Sequence, residues 1–193
     1  MFFATRKEGN EVHGQMDNRL LDSIRFPIGQ FQPILPMTHE DRNKVISQIP
    51  EISHRLRGVT QELSPIQLDT SYRLEGWTIR QIIHHLADND MNAYLRFKRA
   101  LTEDEPMSNT YREDLWAELH DYQQIPIEDS IFLLELLHRR FYILLRGMEP
   151  VDFHKKMRTA VLGSITLNIA LQRLVWHNRH HMSQIESLID KYS

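Results

Sequence analysis

The chain of 193 residues contains no cysteine. That absence removes disulfides, thiolate-bound metals and a cysteine nucleophile, and it agrees with a reducing cytoplasm. No apolar run is long enough to cross a bilayer, and the opening segment MFFATRKEGNEVHGQ lacks the long apolar stretch of a secretory signal. Positive charge is not in excess. Lys and Arg number 23 against 26 Asp and Glu, a formal net charge of -3, so no basic field is available to hold nucleic acid. Strand signals are nearly absent, and there is no internal repeat or low-complexity segment. The expectation is a cytoplasmic protein with neither a membrane nor a nucleic-acid partner.

The periodicity that is present is helical. The length fits one domain. Residues 1–24 show no clear period and are expected to be a disordered extension, with residues 25–193 forming the folded unit. The proline-rich run RFPIGQFQPILP reads as an extended arm on the surface. Four long helical patterns follow. The first starts at Thr38, with Asp41 placed for a capping box; it is expected to break at Pro50 and resume to about Leu63. The second starts at Thr78, with Gln81 three residues on, and runs to about Glu103. The third runs from about Glu128 to Arg146 and stops at Gly147. The fourth runs from near Thr166 to about Lys191. Short helical pieces are expected at Ser64-Pro65 and over 111–119, and residues 157–166 as a small hairpin or a plain loop. The fold class that follows is all-α, a four-helix bundle with long crossings.

Histidine is the unusual count, at 11 residues. A helix turns about 100° per residue, so each ring can be placed on a face. In the fourth helix Leu167, Ala170, Leu171, Leu174, Ile185 and Leu188 define the buried face. His181 falls within it, His177 lies on its edge, and His180 points away. Two imidazoles one turn apart can bind a single ion. In the second helix Ile79, Ile82, Ile83, Leu86, Ala93 and Phe97 define the core. His85 lies on its flank and is preferred over His84, which projects towards solvent. Asn89, Asn92 and Arg96 continue that flank as a polar stripe. Asp90 falls on the core face, where a carboxylate is costly unless paired. His138 lies within the apolar stripe of the third helix. Buried polar groups on three helices point to a polar pocket, though hydrogen-bonded core histidines would leave the same pattern.

The segments RFPIGQFQP, EGWTIRQIIHHLADNDMNAYLRFKRALTEDEP, LLELLHRRF and VWHNRHHMSQI make the chain resemble the DinB/YfiT-like superfamily. The resemblance lies in the branch described as metal-dependent hydrolases and, for some members, bacillithiol S-transferases. It implies a four-helix bundle, usually a homodimer, with one zinc- or nickel-type ion held by three histidines, here His85 (or His84), His177 and His181. The chain departs from the branch in carrying Asn89-Asp90 where Ser-His is frequent, and in lacking His-Pro-Glu before the fourth helix.

Three imidazoles leave a divalent ion with an open position, the mark of a catalytic rather than a structural site. Such an ion can activate water for hydrolysis or hold a cosubstrate thiolate for transfer. The expectation is therefore a metal-dependent hydrolase acting on a small-molecule substrate. The alternatives are a transferase of a low-molecular-weight thiol and a metal-binding dimeric bundle without turnover. Asp90 or His138 is the candidate general base or imidazole-orienting group, and Arg96 the candidate for binding a substrate carboxylate.

Overall fold

The computed structural model describes residues 22–191. The expected extension therefore falls, over residues 1–21, outside the described residues. Helix α1 spans His39–Thr60, α2 Pro65–Leu68, α3 Ile79–Thr102, α4 Glu113–Trp116, α5 His120–Gln124, α6 Ile127–Arg146 and α7 Leu167–Ile189. Strands β1 (Lys156–Thr159) and β2 (Gly163–Thr166) form an antiparallel hairpin leading directly into α7. Of the two sequence alternatives for that segment, the structure takes the hairpin.

Local chemistry starts the long helices where expected. Thr38 and Thr78 each accept a hydrogen bond from the backbone at N3, while Asp41 and Gln81 return one, so both α1 and α3 open with complete capping boxes. Gly147 closes α6. The expected break at Pro50 does not occur: α1 runs through it as one helix of 22 residues. A proline inside a helix removes one hydrogen bond and crowds the preceding turn. Here Ile46, Ile49, Ile52 and Leu56 are all buried on the same side, and Pro50 faces solvent. Burial of that apolar stripe, about 1.5–3 kcal/mol per large side chain, outweighs the lost bond.

Cross-helix contacts fix the topology. Arg57 makes a two-pronged bond to Glu135 and Arg146 bonds Asn43, so α1 and α6 are antiparallel neighbours. His84 meets Ser130, and Phe97 packs edge-on against Phe141, so α3 and α6 run parallel. His85 packs against His181 while Asp90, further along α3, meets Asn178 earlier on α7, so α3 and α7 are antiparallel. Arg42 bonds Asn168 and Arg55 pairs with Glu186, so α7 returns parallel to α1. The four long helices therefore run up, down, down, up. A parallel α3–α6 pair requires the chain to travel back the length of the bundle, and residues 103–126, carrying α4 and α5, make that crossing. The core at the centre includes Leu56, Ile82, Ile83, Leu86, Leu134, Phe141, Leu171 and Ile185, all without exposed surface.

The arm is more than a surface strand. Ile34 exchanges backbone bonds with the Gln172 side chain, and Phe31 and Phe26 pack on Trp176 and His180. It lies along α7 and covers one stripe of it.

Candidate metal centre

The antiparallel α3–α7 pair brings His85, His177 and His181 together, with one ring nitrogen from each within 4.8 Å of the others. The Nε2 atoms of His85 and His177 are 3.2 Å apart. Two nitrogens of a tetrahedral zinc site, each about 2.0–2.1 Å from the ion, stand roughly 3.3 Å from each other. The donor set and its spacing thus fit one divalent ion. His85 and His181 are buried, and His177 is the least covered of the three.

Burial sets the charge state of the rings. It pushes His85 down to about 4, only partly opposed by the Asp90 carboxylate. It drives His177 and His181 well below the ordinary histidine value, and the neighbouring imidazoles add to the effect. All three are therefore neutral at pH 7, the form that binds metal. Trp77 roofs the cluster, its ring 4.5 Å from His85 and 5.9 Å from His181. Gly76, just before it, sits in a tight turn: a Cβ there would stand 2.7 Å from the Arg73 side chain and 2.8 Å from Tyr72.

The other sequence candidates are placed as follows. Asp90 is fully buried and receives His138 Nε2 at 2.7 Å, Asn178 Nδ2 at 3.0 Å and Asn89 Nδ2 at 3.0 Å. The pairing that its position demanded is thus met by three elements. Among the described residues, no hydrogen bond joins Asp90 or His138 to the three clustered histidines. Arg96 donates from Nη2 to the Asn109 carbonyl at 2.7 Å, and its buried Nε has no partner among the described residues. Asn92 receives Asn109 Nδ2, so the far end of the polar stripe holds the crossing segment.

Two expectations are corrected. His84 does not project to solvent. It is 4% exposed, bonds Ser130 through Nδ1 at 2.7 Å and lies against Tyr122, because the crossing segment covers that side of α3. His180, expected to point away from the core, is 7% exposed, because Phe26 and Trp176 enclose its ring. A wheel sees only the helix itself and not the non-helical chain laid across it.

The sequence reading missed several groups. Arg173 stands one turn before His177, and its charge bears on His177, on Arg96 and on Glu113. The Tyr111 hydroxyl is buried without a partner among the described residues. Gln184 accepts from or donates to three groups around His181. Arg173 and Gln184 were within reach of the wheel, since both share a face with His177 and His181. Tyr111 was not, because a loop residue has no period.

A family model described as the DinB superfamily matches residues 48–185. A protein of Oceanobacillus iheyensis named "putative metal-dependent hydrolase" is 43% identical over 164 residues, 85% of this chain and 95% of that protein. A Bacillus cereus protein of the same name is 40% identical, covering 87% of this chain and 96% of its own length. The solved structure of YfiT from Bacillus subtilis, described as "a probable metal-dependent hydrolase with an unusual four-helix bundle topology", is 37% identical. It superposes with a TM-score of 0.85 over 88% of this chain and 98% of that one.

Proposed function

The chain belongs to the DinB superfamily, and from that premise we propose that it is a metal-dependent hydrolase whose ion is held by His85, His177 and His181. The observation that carries the reading is the 3.2 Å separation of two inward-facing Nε2 atoms, with a third imidazole beside them. When bound, a divalent ion of the zinc or nickel type supplies a Lewis acid with an open position, the chemistry by which three-histidine sites activate water.

The residues of the chain do the rest. Trp77 excludes water from its side of the cluster, and His177, the least covered of the three rings, faces the substrate's approach. Arg96 and Arg173 line the same flank with positive charge and, among the described residues, neither forms an ion pair. They are placed to receive an anionic group of the substrate. Asp90 accepts from His138, Asn178 and Asn89, so it and His138 serve as positioning residues that hold α3, α6 and α7 in register.

The test is metal analysis of protein purified without chelator, followed by hydrolysis of ester and amide substrates with and without the ion. One divalent ion per chain, lost in His177→Ala, and hydrolysis that needs that ion are the expected results. Protein that carries no ion and binds none on addition overturns the proposal. Conjugation of bacillithiol or glutathione to an electrophile, with no hydrolysis, would assign thiol transfer instead.

A further inference from the structure

We infer that Gln184 sets the tautomer of His181, and that the backbone carbonyl of Arg25 in the N-terminal arm sets Gln184, so that the arm is a working part of the metal centre. The inference rests on the reading of His181 as a ligand for its functional consequence, but its structural content stands without it.

A backbone carbonyl only accepts hydrogen bonds. The Arg25 carbonyl lies 3.0 Å from one terminal atom of the Gln184 amide, which must therefore be Nε2. This decides an amide orientation that spacing alone would leave open. The other terminal atom, Oε1, is then the one 2.8 Å from His181 Nδ1. An amide oxygen cannot donate, so the proton of the neutral imidazole sits on Nδ1. Nε2 of His181 is left bare, and its lone pair is free for an ion. The second Gln184 N–H points at His180 Nε2, 3.0 Å away, which makes that nitrogen an acceptor and puts the His180 proton on Nδ1. One side chain thus assigns two histidines. Gln184 is 3% exposed, so bulk water is not at hand to take its place.

The arm is seated by a repeat on α7. Gln172, Trp176, His180 and Gln184 stand four residues apart and form one stripe. Each meets the arm: Gln172 at Ile34, Trp176 at Phe31, His180 at Phe26 and Gln184 at Arg25. Arg173, His177 and His181 form the adjacent stripe, each one residue further along. Gln184 is the point where the two stripes are bonded together, through its contact back to His181. Docking of the arm therefore reaches the histidine cluster by hydrogen bonds through the Gln184 amide, beside the ring contact of His180 with His181. Outer groups of this kind change metal affinity by about 10- to 100-fold when removed.

The experiment uses the full chain with nitrogen-15-labelled histidine. Ring nitrogen shifts of the metal-free protein report the His180 and His181 tautomers, and chelator competition reports zinc affinity. In the unsubstituted protein both rings are expected as Nδ1–H tautomers. Gln184→Leu is expected to give a mixture at His181 and to weaken zinc binding about 10- to 100-fold. Gln184→Glu keeps an acceptor for Nδ1, so it should retain the His181 tautomer while losing the bonds to Arg25 and His180. Phe26→Ala loosens the arm without touching the amide and should weaken zinc several-fold, which keeps the idea testable if Gln184→Leu does not fold. An Nε2–H tautomer at His181 in the unsubstituted protein overturns the inference. So does Gln184→Leu or Phe26→Ala binding zinc as tightly as the parent. If the tautomers are as stated but the unsubstituted protein binds no ion, Gln184 still sets the His181 tautomer, while the arm's part in a metal centre and the hydrolase reading both fall.

Discussion

Asp90 has no exposed surface, yet it is a carboxylate in the middle of a helical core. It is tolerated because donors from three helices converge on it: Asn89 on its own helix, His138 from α6 and Asn178 from α7. Removing the acceptor strands those donors in an apolar setting, where an unmet polar group costs about 1–3 kcal/mol. Asp90→Ala is therefore expected to lower unfolding free energy by roughly 3–5 kcal/mol in a urea titration. A loss under about 1 kcal/mol would mean that the network does not clamp the helices. His177 behaves differently, because among the described residues no hydrogen bond ties it to the Asp90 network. His177→Ala should abolish metal binding and lower the stability of the metal-free protein by about 0.5–3 kcal/mol in the same titration, the range for truncating a largely enclosed side chain.

At the scale of the element, α1 shows tertiary packing overriding a local signal. Pro50 marks a break by its own stereochemistry, but four buried side chains on either side of it lie on one stripe and need one unbroken helix. Pro50→Ala restores a backbone donor at an exposed position. It should raise unfolding free energy by about 1–2 kcal/mol, after the looser unfolded chain is allowed for. No gain would mean that the helix has already adapted to the ring. In α7 the decisive feature is two adjacent stripes with a four-residue repeat, one carrying the clustered histidines and one for the arm. The wheel finds the histidine stripe readily, because its residues border the apolar face. The arm stripe resembles a solvent face until the arm is laid on it.

At the scale of the molecule, the buried histidines couple stability to pH. The unfolded chain takes up protons near the ordinary value of 6.5, while the folded chain resists until about 4 at His85, and burial holds His177 and His181 well below 6.5 as well. Between those limits the unfolded state binds more protons, so stability is full above pH 6.5 and falls as the pH drops. Each ring adds about 1.4 kcal/mol per pH unit to that slope. Urea titrations of metal-free protein from pH 7.5 to about 4.5 should show a steady loss, and a bound ion should steepen it, because protons and metal compete for the same nitrogens. A flat profile would mean that the rings are hydrated and not buried.

Much of this protein was determined by sequence alone, because helical period and capping chemistry are local. The apolar repeats place the four long helices, Thr78 with Gln81 starts α3, Gly147 ends α6, and the i, i+4 spacing puts His177 and His181 on one side of α7. The cost of a buried carboxylate told that Asp90 needed partners, though not which. What only the tertiary structure decided depends on chain far away in sequence. The parallel α3–α6 pair arises from how residues 103–126 cross the bundle, and the burial of His84 follows from that crossing. The enclosure of His180 and the orientation of Gln184 follow from an arm at the other end of the chain. The same distance effect acts on His85: the wheel could prefer it to His84, but only the antiparallel docking of α7 brings its Nε2 to His177.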